Sequence, residues 1–233
     1  MLKASNELRL CADAHEAEVI TNDCYKLKEL AERDNDIKYI VDIGGNIGAF
    51  SIQCSRVFPE AQVIMCEPEP SLVECAKENI ADIPGNKVSF VEKAIVGDES
   101  LEKVQFSVCK WQGNHHVKGR FRMDTYGVPE VGSEILYDIE VPATSLSKVI
   151  KENNFPRIDL LKMDTEGCEP EILESIKPWL KNVRHIVAEW HSQDDLARIQ
   201  AALADTHTTT LIDGFFHEQN GAIANGEIFG EPK

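Results

Sequence analysis

Two kinds of apolar pattern alternate along this chain. The first is the short continuous run: Tyr39-Ile40-Val41, Gln62 to Cys66, Ile158 to Asp164 and Val183 to Glu189. Runs of that length suit strands buried on both faces of a parallel sheet. Val88 to Ile95 begins by alternating and becomes continuous, which predicts a further strand of the same sheet. The second pattern is helical. Glu69-Pro70-Ser71 opens a helix reaching about Ile80, with Leu72, Val73, Cys75 and Ala76 toward the sheet. Leu146 to Glu152 follows a capping Ser145, Pro170 sits in the first turn of a helix after Thr165, and Asp194 to Leu203 is another. Strand and helix in alternation predict a parallel sheet with right-handed crossovers.

Other stretches modify this frame. Residues 4 to 33 read as one or two helices, the first with Leu8, Leu10 and Ala14 on one face, the second beginning after a cap at Asn22 or Asp23. They are expected to form a helical N-terminal cap over residues 1–37. Val104 to Val108 alternates like an antiparallel strand, with Ile135 to Val141 as its partner. Between them, Trp111 to Ser133 has no clear period, and a loop that long predicts a substrate-binding element. Thr208 to Ile212 and Ala222 to Phe229 are expected to close the sheet as a hairpin. No repeat or low-complexity linker interrupts the chain, which predicts a single domain over residues 1–233.

Composition narrows the function. The 233 residues are 42% hydrophobic and 27% charged, as in soluble globular proteins. The net charge of −16 argues against a phosphate-gripped nucleic acid as partner. Seven cysteines without a C-x-x-C pair argue against a disulfide framework and for a reducing interior. No apolar signal core or membrane-length segment is visible, so a cytoplasmic location is expected.

The chemistry centres on VDIGGNIGAFS, Val41 to Ser51, where a strand turns through Gly44-Gly45-Asn46 into a helix. Glycines admit a ligand close to the backbone, and the first helical amides offer donors. A dinucleotide fingerprint would need a glycine where Ile43 stands. Asp42 at the strand end would repel a pyrophosphate but welcome a sulfonium or ammonium group, which favours S-adenosylmethionine. Glu67, closing the next strand, is the expected acceptor for the ribose hydroxyls.

With CEPEPS (Cys66 to Ser71), EKAIVGD (Glu92 to Asp98), VPATSL (Val141 to Leu146), IDLLKMDTEGCEPEIL (Ile158 to Leu173) and AEWH (Ala188 to His191), the chain resembles the FkbM-type methyltransferases within the Rossmann-like, S-adenosylmethionine-dependent enzymes. The resemblance runs over about residues 22 to 191. It implies a class I methyltransferase fold of the α/β class: a mostly parallel seven-stranded sheet with helices on both faces, here with an inserted antiparallel segment. It also implies methyl transfer, usually to a hydroxyl of a small molecule, sugar or natural product. The other readings are an N-methyltransferase acting on a protein or nucleobase, and a cofactor-binding module without turnover.

The expected cofactor contacts are Asp42, which supports the loop or faces the ammonium group, and Gly44, Gly45, Asn46, Gly48, Glu67 and Asp164, with Lys93 and Ala94 flanking the adenine as the family pattern suggests. Methyl transfer to oxygen calls for a base. His191 is the first candidate because a neutral imidazole takes a proton at working pH, with Glu189 second and Asp164 able to assist. His115, His116, Lys118, Arg120 and Arg122 form a basic cluster in an acidic chain, which points either to an anionic acceptor or to a solvated loop, with His115 and His116 also open to a base role. Asp164, Glu166, Glu189 and His191 end neighbouring strands and could ligate magnesium, but the family does not generally require a metal, and none is expected.

Overall fold

A computed structural model describes the chain except residues 7, 111–113, 120–133, 212–217, 220–221 and 224–225. Arg120, Arg122, most of the predicted substrate loop and the turn of the predicted closing hairpin lie outside the described residues. The elements, in chain order, are α1 (Arg9–His15), α2 (Leu27–Arg33), β1 (Tyr39–Ile43), α3 (Ala49–Val57), β2 (Gln62–Cys66), α4 (Pro70–Ala81), β3 (Val88–Val91) and β4 (Ala94–Ile95). Then follow β5 (Lys103–Cys109), β6 (His116–Val117), β7 (Ile135–Thr144), α5 (Leu146–Glu152), β8 (Ile158–Met163), α6 (Glu169–Ser175) and β9 (Val183–Trp190). The chain closes with α7 (Gln193–Leu203), β10 (His207–Leu211), β11 (Glu218–Gln219), β12 (Ala222–Ile223) and β13 (Gly226–Pro232).

The main sheet has seven strands in the order β10-β13-β9-β8-β1-β2-β3. All neighbours from β9 to β3 run parallel, and β13 lies antiparallel between β10 and β9. From β1 the chain builds outward through β2 and β3, then returns to lay β8 on the other side of β1. That reversal opens a crevice at the carboxyl ends of β1 and β8, where open α/β sheets bind ligands. Apolar clusters cover both faces of the sheet, one with Val41, Leu161 and Ile186, the other with Ile40, Leu160 and Val187. Among the described residues, no helix is long and apolar enough to cross a membrane.

Two expectations change. The predicted strand Val88 to Ile95 breaks after Val91, where the Lys93 N–H donates to the Val91 carbonyl in a tight turn. Ala94 and Ile95 then pair with Ala143 and Thr144, so a second sheet, β4-β7-β5-β6, branches from the end of β3. Its β5–β7 pairing is the antiparallel one predicted, with Val104 opposite Val141. In α1 the apolar face holds Leu8, Cys11 and Ala12, whereas Leu10 is 69% exposed. Positions three and four apart share a helix face and positions two apart do not, so Leu10 cannot join Leu8.

The N-terminal segment packs into the same apolar cluster as α3: Leu2, Ala12, Val19, Leu27 and Leu30 meet Ile47, Phe50 and Ile52. Between α1 and α2 the chain makes a wide π-type turn over Glu16–Thr21. Asp23 caps α2, accepting from the N–H groups of Leu27 (3.1 Å) and Lys28 (3.0 Å).

Two buried ionic groups lock the sheet at opposite ends. At the amino ends of β1, β8 and β9, Asp159 accepts from Lys38 N (2.8 Å), Tyr39 N (3.0 Å) and Arg184 Nη1 (3.2 Å), and Asp34 binds Arg184 and His185 Nε2 (2.9 Å). At the carboxyl ends, Lys162 of β8 donates to the Gly44 carbonyl (2.7 Å) and lies 3.4 Å from Asp42 and 3.5 Å from Asp164. Asp42 also accepts from Ser51 Oγ (2.7 Å) and is fully buried.

Two tests follow from these locks. Lys162→Met should cost about 3–5 kcal/mol in chemical denaturation, because Asp42 stays buried without its cation. Adding Asp42→Asn should recover part of that loss; no recovery would refute the pairing. Burial acts to raise Asp34, but the bonds from His185, the Asp36 amide and Arg184 hold its carboxyl below the usual value. A depressed carboxyl stabilises above its unfolded value and ceases to as pH falls through the folded one. Asp34→Asn should therefore cost about 2 kcal/mol at pH 7, and the gap to wild type should close progressively below about pH 4.

Candidate active site

The first wall of the crevice is the turn after β1. Gly44 and Gly45 both donate to the Cys66 carbonyl at 3.0 Å, which folds the turn back over the end of β2. At Gly44 φ is +74°, and a Cβ there would lie 1.7 Å from the Asp164 carbonyl oxygen. Only glycine fits. Asn46 takes the left-handed φ of +49° that Asn tolerates, with Oδ1 accepting from the Ile47 N–H at 2.8 Å.

Glu67 stands at the end of β2, 5% exposed. Its two oxygens accept from Asn46 N (3.0 Å) and Glu69 N (2.9 Å), one bond to each. A carboxylate has about four acceptor directions, so two remain for a ligand. Burial pushes its pKa up to about 7, against the pull of those amide bonds.

The wall opposite comes from the loop after β8. Glu169, fully buried, accepts from Thr165 Oγ1 (2.8 Å), the Thr165 amide and Gly167 N (3.0 Å), and so splints the loop. Glu166 is held there at φ +58°, an uncommon conformation for a residue other than glycine. Behind the loop, Glu189 shares a hydrogen bond with Asp164. Burial and the Asp164 charge raise Glu189 well above the carboxylate range. Burial acts upward on Asp164 too, but Lys162 and the bond from Glu189 keep it below its usual value. Glu189 therefore holds the proton and Asp164 the charge.

The walls enclose a cavity of about 790 Å³, its mouth included. That volume is in the range of small-ligand sites. Of the residues singled out in the sequence, Gly44, Gly45, Asn46, Glu67, Lys93, Ala94, Asp164 and His115 line it. Other predicted residues do not. Asp42 lies beneath the turn, committed to Ser51 and Lys162, so it supports the loop instead of facing an ammonium group. Gly48, at φ +88°, starts α3 against Ala76 and Ile80. His191 lies behind Glu166, its Nδ1 3.7 Å from that carboxylate and its Nε2 3.8 Å from Glu169. Burial acts to lower it, but Glu166 and Glu189 raise its pKa well above the usual value. The imidazole is thus a cation, not the neutral base expected.

Among the described members of the basic cluster, His116 and Lys118 are engaged away from the cavity. His116 is buried with Nδ1 2.8 Å from the Asn114 carbonyl, and Lys118 pairs with Asp138 at 2.6 Å. His115 alone of the described members reaches the cavity. Its Nδ1 accepts from Cys109 N (3.1 Å), and burial lowers its pKa to about 4. It is neutral.

Sequence reasoning missed the N-terminal contribution. His15 and Val19, at the π-type turn, and Tyr25 all line the cavity, and Tyr25 meets Phe50 edge-on at 5.1 Å. No motif marks them. Lys162 was visible as a lysine in the apolar half of its strand, after Leu160-Leu161, a signal that it has a buried partner.

Comparison with known proteins agrees with this geometry. Residues 42–219 match the model of the methyltransferase FkbM domain. Methyltransferase sdnD of Sordaria araneosa is 27% identical, over 81% of this chain and 78% of its own. The 31-O-demethyl-FK506 methyltransferase FkbM of Streptomyces tacrolimicus is 26% identical (91% and 85% covered), and the hexuronic acid methyltransferase AglP of Haloferax volcanii 24% (84% and 73%). The S-adenosylmethionine complex of the O-methyltransferase TomG from Streptomyces achromogenes shares the fold, with a TM-score of 0.51, 15% identity, and 100% of this chain and 92% of that one covered. A glycine turn and Glu67 at the switch point of a seven-stranded sheet, in a chain matched from Asp42 onward, make this protein a member of the FkbM methyltransferase family, dependent on S-adenosylmethionine.

Proposed function

We propose that the chain transfers the methyl group of S-adenosylmethionine to a hydroxyl oxygen of a small-molecule acceptor. The observation that carries this reading is the composition of the cavity wall facing the glycine turn: the charged carboxylate of Asp164 and the neutral imidazole of His15. Burial lowers His15 to about 4. In this reading Glu67 holds the ribose and the turn at Gly44 to Asn46 holds the methionine part, while Lys93 and Ala94 flank the adenine.

The reaction is an in-line displacement. The acceptor oxygen attacks the methyl carbon, the carbon–sulfur bond breaks, and its electrons return to sulfur. Asp164 accepts the hydroxyl hydrogen bond and aligns the oxygen, and Glu189 holds that carboxylate in place from behind. The proton leaves to His15, where Asp164 offsets the new charge. An oxygen acceptor also agrees with the 31-O-demethyl-FK506 methyltransferase among the relatives. An anionic acceptor, as in the hexuronic acid enzyme, has weaker support here, because Asp164 and Glu166 face it and Lys118 is engaged elsewhere.

Calorimetry with S-adenosylhomocysteine tests the cofactor half. Glu67→Ala should weaken binding roughly 10- to 100-fold, through loss of charged hydrogen bonds; unchanged affinity would remove Glu67 from the site. Wild-type affinity should rise between pH 6 and 8 as Glu67 ionises near 7, and Glu67→Gln should flatten that rise. The empty protein should show the opposite trend. A carboxyl whose folded pKa exceeds its usual 4.5 binds more protons folded than unfolded, so its contribution to stability falls as pH rises from 4.5 through 7. For the acceptor half, hydroxylated compounds are screened with methyl-labelled cofactor. A product methylated on nitrogen would sink the O-transfer reading.

A further inference from the structure

We propose that Glu166, Glu189 and His191 bind one divalent cation of the Mn²⁺ type in the inner wall of the cofactor cavity. One ligand atom from each of the three lies within 4.8 Å of the others. Asp164, Glu169 and His191 meet the same condition and share the imidazole. The three proposed ligands come from two backbone segments, the loop after β8 and the end of β9.

The spacing also suits two ligands of one ion. His191 Nδ1 stands 3.7 Å from Glu166 Oε2, beyond hydrogen-bond reach. Two donors each bonded at about 2.1 Å to one octahedral ion stand roughly 3 to 4 Å apart. The other ring nitrogen faces Glu169 at 3.8 Å. A metal-bound imidazole usually has a carboxylate at its second nitrogen, fixing the ring. Glu169 suits that outer role because Thr165 and Gly167 already occupy its oxygens. The geometry therefore assigns the ion to the Glu166 side of the ring.

Glu227 neighbours Glu189 across the sheet. It lies opposite Glu189 in the β9–β13 register, on the same face, and is 6% exposed. Its Oε2 is buried with no hydrogen-bond partner among the described residues, and burial raises its pKa to about 8. It is also close enough to Asp164 for the two charges to repel. Four carboxyl groups (Asp164, Glu166, Glu169, Glu189) meet Lys162 and His191 here, and Glu189 holds a proton that a metal cation would displace. Lys162 is committed to Gly44, Asp42 and Asp164. One imidazole with carboxylate oxygens suits an ion of intermediate hardness such as Mn²⁺. Asp164 and Glu166 line the cavity, so an acceptor hydroxyl seated beside them could enter the coordination sphere and become more acidic. That consequence rests on the O-methyl transfer reading; the binding site does not.

The test is a titration of the full chain with Mn²⁺, followed by electron paramagnetic resonance, with S-adenosylhomocysteine binding measured in parallel. The expected result is one saturable Mn²⁺ per chain, with a nitrogen coupling from one imidazole. Glu189→Gln and His191→Gln should each weaken Mn²⁺ about tenfold or more, and His191→Gln should erase the nitrogen coupling. Wild-type protein without saturable Mn²⁺, or with bound Mn²⁺ showing no nitrogen coupling, overturns the proposal even if the variants fail to fold. Folded variants that bind Mn²⁺ like wild type overturn it too. Binding of S-adenosylhomocysteine without Mn²⁺ sinks the metal site alone, whereas Mn²⁺ binding without S-adenosylhomocysteine sinks the cofactor assignment alone.

Discussion

The ammonium group of Lys162 is the constraint on which the ligand crevice depends. It sits among the ends of two parallel strands, where an unpaired cation would be too costly to keep. Burial opposes its charge, and Asp164 and Asp42 lead in overcoming that opposition and raising its pKa. The same group donates to the Gly44 carbonyl, so one side chain joins the turn after β1 to the acid after β8. The crevice between those strands thereby has a floor of fixed charge. Asp42 belongs to this floor and not to the cavity surface, and that explains why an acid can stand at the start of a cofactor-binding turn.

Two further pieces complete the enclosure. The inserted sheet branches from the end of β3 and brings His115 to the rim. The N-terminal segment packs on α3 and supplies His15 and Tyr25. It is latched to the glycine turn itself, since Cys11 Sγ lies 3.6 Å from Asn46 Oδ1. The family match begins only at residue 42. The cavity wall is thus built partly from residues that this match does not reach.

Much of the frame was legible because its signals are local. A continuous β-branched run, a capping Ser145, Pro170 in a first turn and an Asp23 cap each act within a few residues. The break after Val91 was not legible, because the alternative partner of Ala94 and Ile95 is β7, about fifty residues along the chain. Glu67 and Gly44 could be placed at the crevice from their motif. The basic residues between Lys110 and Arg122 could not be judged in the same way, since charge along a chain does not say which side chains already have partners. Lys118 has one in Asp138.

By itself, the amino-acid sequence determined the α/β class, the order of the parallel strands' motifs, the glycine turn with its paired acid, and hence the cofactor. These rest on backbone freedom and on burial patterns that neighbouring residues set. Only the tertiary structure decided which acids face the cavity, which are spent on Lys162, and which share a proton. It also decided that His191 is enclosed by carboxylates and carries charge. Those properties come from summed electrostatics among groups far apart in the chain and close in space, and no local pattern encodes them.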